Sequence, residues 1–282
     1  MKAKIDSSVI KQTVRVLEER LRWTLPPYDE SHISAMIGKR LKKTGLSSES
    51  YLRLLEADAG EAKSLVDSLL VTFSVFFRSP LAFAALEQEI LPRLLKAKVK
   101  ERVELRVWSA ACAGGEEAWS TAILLHQLVA QHVRPPGYRI LGTDVAEAGL
   151  NRARTGVYSV LELGNVRVSQ LNTCFVKCGE AYSISPELRH GVDFTKYDLL
   201  DESTSSPPSS IYGHFDLIIC ANVLLYYRAS ARERILKKLQ HCLAPGGYLM
   251  TSETEWRLIQ NDVAFQPVNA TTVIFQKHKD AF

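Results

Sequence analysis

A chain of 282 residues is long enough for one large domain, or for a large one with a small companion. With 46% hydrophobic and 23% charged residues it has the composition of a soluble globular protein, and a formal net charge of +4 is too small to argue for a nucleic-acid partner. No apolar run approaches the roughly 18–20 residues that span a membrane, and residues 1–10 carry no apolar signal core, so a cytoplasmic protein is expected. The five cysteines, Cys112, Cys174, Cys178, Cys220 and Cys242, are irregularly spaced and read as reduced thiols. Cys174 and Cys178 could share a helix face, but no second Cys/His pair stands at ligand spacing, so no metal site is expected.

The first 80 residues read as helical. Val9, Ile10, Val14, Leu17 and Leu21 form one apolar face, which Pro26-Pro27 is expected to end. A second helix carries Ile33, Met36, Ile37 and Leu41. A third starts behind Ser47 as N-cap, with Tyr51, Leu52 and Leu55, and a fourth runs through Leu65, Val66, Leu69 and Leu70. Ser79-Pro80 predicts a new helix start, with the serine as cap and the proline in the first helical position. The expected organisation is a helical domain over 1–80, a linker helix over 81–102 whose charged residues 96–102 form a surface linker, and an α/β domain over 103–282.

From residue 103 the pattern changes. Apolar runs at 105–109 (LRVWS), 138–143 (YRILGT), 215–220 (FDLIIC), 248–252 (YLMTS) and 272–276 (TVIFQ) read as strands. Helical patterns at 116–131, 146–154 and 232–243 lie among them. Residues 244–247 (APGG) read as a turn, and 203–210 (STSSPPSS) as a flexible loop. Strands alternating with helices of this length predict an open, Rossmann-like α/β sheet, with any ligand at the carboxyl ends of its strands.

Four places carry candidate chemistry. The run Ala110-Ala111-Cys112-Ala113-Gly114-Gly115 lets a ligand lie against backbone, and the helix behind it begins with Glu116-Glu117. Two acids there disfavour a pyrophosphate and favour an uncharged or cationic group; tight helix packing is the alternative reading of the same run. Asp144, at the end of the second strand, can accept from both ribose hydroxyls of a nucleoside or simply cap the next helix. Residues 222–227 (NVLLYY) follow the third strand without the proline of an Asx-Pro-Pro-aromatic turn, against adenine or amide N-methylation. Tyr226 and Tyr227 there could equally be core aromatics. Arg78, behind Phe76-Phe77, suits a bidentate grip on a carboxylate, or is a surface arginine.

Together these segments resemble the CheR family of chemoreceptor glutamate O-methyltransferases. VTFSVFFRSP is similar to its Asn-x-Thr-x-Phe-Phe-Arg motif, and WSAACAGGEEAWS to its Trp-Ser-Ala-x-x-x-x-Gly-Glu-Glu-x-Tyr-Ser segment. TGVYS, DFTKYDLL and CANVLLYY resemble its Gly-x-Tyr, Phe-x-x-x-Asx-Leu-Leu and Cys-Arg-Asn-Val-hydrophobic-Ile-Tyr-Phe elements, so that the resemblance runs from about residue 10 to 278. It implies a class I methyltransferase sheet, an all-α N-terminal domain and a small β-subdomain inserted near 168–194. It implies that S-adenosylmethionine, giving S-adenosylhomocysteine, is held by Thr72, Ser74, Arg78, Ala110, Glu116, Asp144, Asp198, Leu199 and Asn222, and that Arg78 and Tyr226 flank the reacting carboxylate. The sequence departs from the family at Ala221, where an arginine is usual, and at Thr72, Ser74 and Trp119. Ala221 motivates the alternative of a relative that binds the cofactor or its product without methylating.

The resemblance also implies a partner. Residues 31–46 contain Lys39, Arg40, Lys42 and Lys43 and no acid, and in the family such a helix faces the acidic methylation helices of a chemoreceptor. A solvated basic face is the plain alternative. Family members tethered by a receptor's C-terminal pentapeptide carry a longer, Gly-containing loop in the β-subdomain. Here only Cys178-Gly179-Glu180-Ala181 is left for the turn, so a tight hairpin and no pentapeptide tether are expected.

Overall fold

The structure is a computed structural model and describes residues 5–22, 24–70, 73–131, 135–208, 210, 214–269 and 272–279. The chain divides into two compact units, residues 1–71 with 225–232, and residues 72–224 with 233–282. No described helix is long and apolar enough to cross a membrane.

The first unit holds α1 (Ser7–Leu21), α2 (Glu30–Thr44), α3 (Ser48–Ala57) and α4 (Ala59–Leu69). Each starts behind a side chain that takes up a free N–H: Asp6 accepts from Ser8, Asp29 from Ser31, Ser47 from Ser50, and Asp58 from Gly60 and Glu61. α1 stops at Arg22, left-handed at φ 49°, before the prolines expected to end it are reached. The apolar faces converge on a core of Leu17, Ile33, Ile37, Tyr51, Leu55 and Leu65. Residues 225–232 are stitched to the α1–α2 connection. Asp29 N donates to Tyr226 O at 2.7 Å and Arg228 N to Pro27 O at 2.9 Å, and the Tyr28 and Tyr227 rings stack at 5.1 Å.

The second unit opens with α5 (Pro80–Ala85), a π-turn over Leu86–Ile90 and α6 (Leu91–Glu101), which pass without a break through the stretch expected as a linker. Lys98 pairs with Asp216 at 2.8 Å, so part of that charge serves to bind the helix to the sheet. Ser79 does not cap α5; its hydroxyl donates to Glu253 at 3.0 Å. Next come β1 (Leu105–Ala110), α7 (Glu116–Val129), β2 (Tyr138–Asp144), α8 (Glu147–Thr155), β3 (Val157–Ser159) and α9 (Val168–Cys174). β4 (Phe175–Cys178), β5 (Ala181–Ile184), α10 (Pro186–Arg189), β6 (Val192–Lys196) and β7 (Phe215–Ile219) follow, then α11 (Ala229–Cys242), β8 (Leu243–Met250), α12 (Trp256–Ile259), β9 (Phe265–Pro267) and β10 (Ile274–Lys277).

Seven strands form one sheet in the order β6-β2-β1-β7-β8-β10-β9. β6, β2, β1, β7 and β8 are parallel, while β10 runs antiparallel to β8 and to β9. All five residues of β7 and five of the six in β1 are buried, as central strands covered on both faces require. The chain leaves β1 for β2 on one side and later returns to β7 on the other, which opens a crevice at their carboxyl ends. β3, β5 and β4 form the small antiparallel sheet. Its strands span 157–184 and not 168–194: Val157–Ser159 supplies an edge, and the stretch from Val192 leaves to pair with β2. The β4–β5 hairpin closes from Cys178 to Ala181 with Gly179 at φ +63°. Residues 244–247, expected as a turn, lie within β8, where Gly246 at φ +74° accompanies a register shift against β7.

Candidate active site

The turn after β1 is strained. Ala111, Ala113 and Gly115 are all left-handed, at φ 54°, 50° and 85°. Two alanines in that region persist only where neighbours hold them, a condition common at ligand sites. The neighbours are visible. Cys112 N donates to Thr143 O at 2.8 Å, Ala113 N to Asp144 Oδ2 at 2.9 Å, and the Tyr158 hydroxyl to Gly114 O at 2.6 Å.

Asp144 is buried and fastens this turn to β2. Its second oxygen accepts from Ala146 N at 2.8 Å, so the local backbone role expected as one alternative is present. Burial pushes its pKa up, and the N–H groups of Ala146, Ala113 and Val145 oppose that shift. A carboxylate has about four acceptor positions, so capacity remains for ribose hydroxyls. Tyr197 N donates to Asp144 O at 3.0 Å, which brings the buried Leu199 and the exposed Asp198 alongside; Asp198 accepts from Leu200 N.

Glu116 opens α7 and is wholly buried. One oxygen pairs with the Arg152 guanidinium, and the other, Oε2, has no hydrogen-bond partner. A buried carboxylate oxygen left open is costly, and it is the acceptor that an ammonium or another cationic group needs. With the backbone-lined turn, the nearby Asp144 and the absence of a G-x-G-x-x-G run, these residues fit S-adenosylmethionine.

The segment carrying Arg78 hangs on α7. Phe77, at φ 50°, donates its N–H to Ser120 Oγ at 3.0 Å, and that hydroxyl donates to Glu116 O at 2.7 Å. Phe76 N donates to Glu162 O at 3.1 Å, and the Phe76 ring meets Tyr158 edge-on at 4.8 Å. Ser74 is buried and Arg78 half-buried. Thr72 lies outside the described residues. Glu117 is buried and its pKa is pushed up to about 7 by desolvation; the Arg78 charge pulls it down and Glu255 pushes it further up.

At the end of β7, Ala221 is buried and Asn222 is left-handed at φ 59°. The turn is anchored by the fully buried Glu255, which accepts from Asn222 N at 2.7 Å and Val223 N at 2.6 Å. Tyr226 falls among residues 225–232 of the first unit, its ring 4.6 Å from His32. Thus Ala110, Asp144 and Asn222 lie at or just past the carboxyl ends of β1, β2 and β7, Glu116 opens the helix behind β1, and Asp198 and Leu199 follow β6, the neighbour of β2. Sequence reasoning missed Arg152, Glu162 and Glu255 as partners. Only the Gly-x-Tyr element at Gly156–Tyr158 pointed toward that neighbourhood. On α2, Lys39, Lys42 and Lys43 are exposed, but Arg40 is not part of a free basic face. Its Nε donates to Glu61 Oε1 at 2.8 Å, and Tyr51 donates to the same carboxylate at 2.7 Å. Among the described residues no group of three or more His, Cys, Asp or Glu is placed to hold a metal ion.

A family model described as "CheR methyltransferase, SAM binding domain" matches residues 72–274. A chemotaxis protein methyltransferase of Listeria monocytogenes is 32% identical over 256 residues, covering 90% of this chain and 92% of the relative. The chemotaxis protein methyltransferase of Escherichia coli is 28% identical over 248 residues, covering 86% and 82%. An uncharacterized 104.1 kDa protein of Rhodobacter capsulatus is 34% identical over 227 residues; the match covers 80% of this chain but only 23% of that protein.

Proposed function

This chain belongs to the CheR methyltransferase family, and on that premise we propose that it transfers the methyl group of S-adenosylmethionine to glutamate side chains of a cytoplasmic chemoreceptor domain, forming methyl esters. The observation that carries the reading is the open, buried Glu116 oxygen behind a left-handed Ala/Gly turn, with Asp144 one strand away. When bound, S-adenosylmethionine supplies a methyl group on a positively charged sulfur. Glu116 accepts from the cofactor's ammonium, Asp144 from the ribose hydroxyls, and Ala110 keeps the turn shallow enough for close approach. Ser74, Asp198, Leu199 and Asn222 complete the lining, with Thr72 assigned by resemblance alone.

The acceptor glutamate, with a pKa near 4.3, is ionised at neutral pH and requires no general base. Desolvation works against that charge, and Arg78 restores it while two parallel N–H donors fix the attacking oxygen. Tyr226 is assigned a supporting hydrogen bond. The partner surface is the exposed basic part of α2, Lys39, Lys42 and Lys43, set against acidic methylation helices, where opposite charge speeds encounter and fixes register. The tight Cys178–Ala181 hairpin supports direct docking without a pentapeptide tether.

The test is transfer of a tritiated methyl group to chemoreceptors encoded in the same genome. A base-labile label on receptor glutamates is expected. A base-stable label, or label only on small molecules or nucleic acid, refutes the assignment. Tight cofactor binding without transfer to any receptor supports the non-methylating alternative that Ala221 raises.

A further inference from the structure

We propose that Arg152 is a positioning residue for the amino-acid end of the cofactor, holding Glu116 so that one carboxylate oxygen stays open for the ligand's ammonium. The inference rests on the reading of Glu116 as a cofactor contact and adds the residue through which that contact is built. The Arg152 guanidinium lies between two carboxylates. It pairs with Glu116 Oε1 through one nitrogen and with Glu162 Oε1, at 2.6 Å, through another. Two acids and one guanidinium leave one negative charge unmatched, and the atom left without a partner is Glu116 Oε2, on a side chain with 0% exposure. The charge and the open acceptor both call for a cation with N–H donors.

The surroundings are shaped to the guanidinium. A Cβ on Gly114 would stand 2.0 Å from Arg152 Nη2 and 2.5 Å from Nε, so the glycine of the turn makes room for this side chain as well as for a ligand. Below it, the Tyr158 ring centroid is 5.6 Å from Arg152 Cζ, and the Tyr158 hydroxyl bonds Gly114 O. The second arm reaches further. Glu162 Oε2 accepts from Ser159 N at 2.8 Å and from Ser159 Oγ at 2.7 Å, while the Glu162 carbonyl accepts from Phe76 N. One guanidinium therefore links the carboxylate at the head of α7 to the segment that presents Arg78. Lysine, a point charge with a shorter reach, can supply the charge but not both parallel contacts.

The experiment is isothermal titration of Arg152→Met, Arg152→Lys and Glu116→Gln with S-adenosylhomocysteine and with 5′-methylthioadenosine, which lacks the amino-acid end. Arg152→Met is expected to weaken S-adenosylhomocysteine by about tenfold or more and to leave 5′-methylthioadenosine within about twofold, with Arg152→Lys recovering part of the loss. Retained affinity for S-adenosylhomocysteine in Arg152→Met, equal loss of both ligands, or no recovery by lysine overturns the proposal; equal loss marks a packing role. If Glu116→Gln binds S-adenosylhomocysteine as tightly as the wild type, the cofactor reading of Glu116 itself fails, whatever Arg152 does.

Discussion

Replacing Glu255 tests whether the site depends on a buried anchor. Its carboxylate takes hydrogen bonds from Asn222 N, Val223 N, Thr251 Oγ1 at 3.1 Å and Ser252 Oγ at 2.7 Å, at 0% exposure. In Glu255→Ala the two hydroxyls can rotate toward other acceptors, but the two backbone N–H groups cannot. Each buried donor left open costs about 1–3 kcal/mol, so a loss of about 4 kcal/mol is expected. For a unit of this size that corresponds to a fall of roughly 10 °C in Tm. Glu255→Gln keeps the volume and one accepting oxygen, and is expected to lose about half as much. The left-handed Asn222 turn loses both tethers in the Ala variant and one in the Gln variant, so affinity for S-adenosylhomocysteine should fall in the same order. Thermal unfolding followed by circular dichroism, with calorimetric titration of the ligand, measures both quantities. A Tm for Glu255→Ala within about 2 °C of the wild type, or a Gln variant as damaged as the Ala variant, would refute this account.

Glu117 makes stability depend on pH. Its folded pKa of about 7 lies above the ordinary 4.5, so the folded state holds the extra proton between those values. Stability therefore falls as pH rises through that window, by about 3 kcal/mol in all, and Glu117→Gln should flatten the slope in urea midpoints taken across it; an unchanged slope rejects the assignment. Arg78→Ala removes the charge that lowers Glu117, and should move the slope to higher pH. The same variant should cut kcat for methyl transfer by about a hundredfold or more, whereas a change confined to KM would reassign Arg78 to uniform binding. Gly114→Ala should expel the Arg152 guanidinium, lower Tm because the buried Glu116 carboxylate loses its partner, and weaken S-adenosylhomocysteine about tenfold; unchanged affinity would refute it. Titration with C-terminal pentapeptides of receptors from the same genome should give no low-micromolar binding. Such binding, lost when residues 178–181 are altered, would restore the tether.

Much of this protein was legible along the chain because the decisive signals are local. Apolar residues at helical spacing set α1 to α4, short apolar runs set β1, β2, β7 and β10, and the Ala/Gly run marked the turn whose left-handed residues the structure displays. Glu116 and Asp144 stood out because each sits at the end of a local element, where free backbone groups meet a ligand. Errors arose where a long-range partner overrode a local rule. Lys98, in the charged stretch at 96–102, is tied to Asp216, and Ser79 turns from its cap to Glu253. Arg40 has a basic neighbourhood in sequence and a half-buried acid, Glu61, in space.

The sequence by itself determined the kinds of element, their order and the residues at their ends, since these follow from spacing and backbone chemistry within a few residues. Only the tertiary structure decided which charges meet. Glu116 and Arg152 are separated by 36 residues, Asn222 and Glu255 by 33. Such pairs exist because the β6-β2-β1-β7-β8 order brings separate strand ends to one edge, where burial strengthens each pairing and penalises each group left without one.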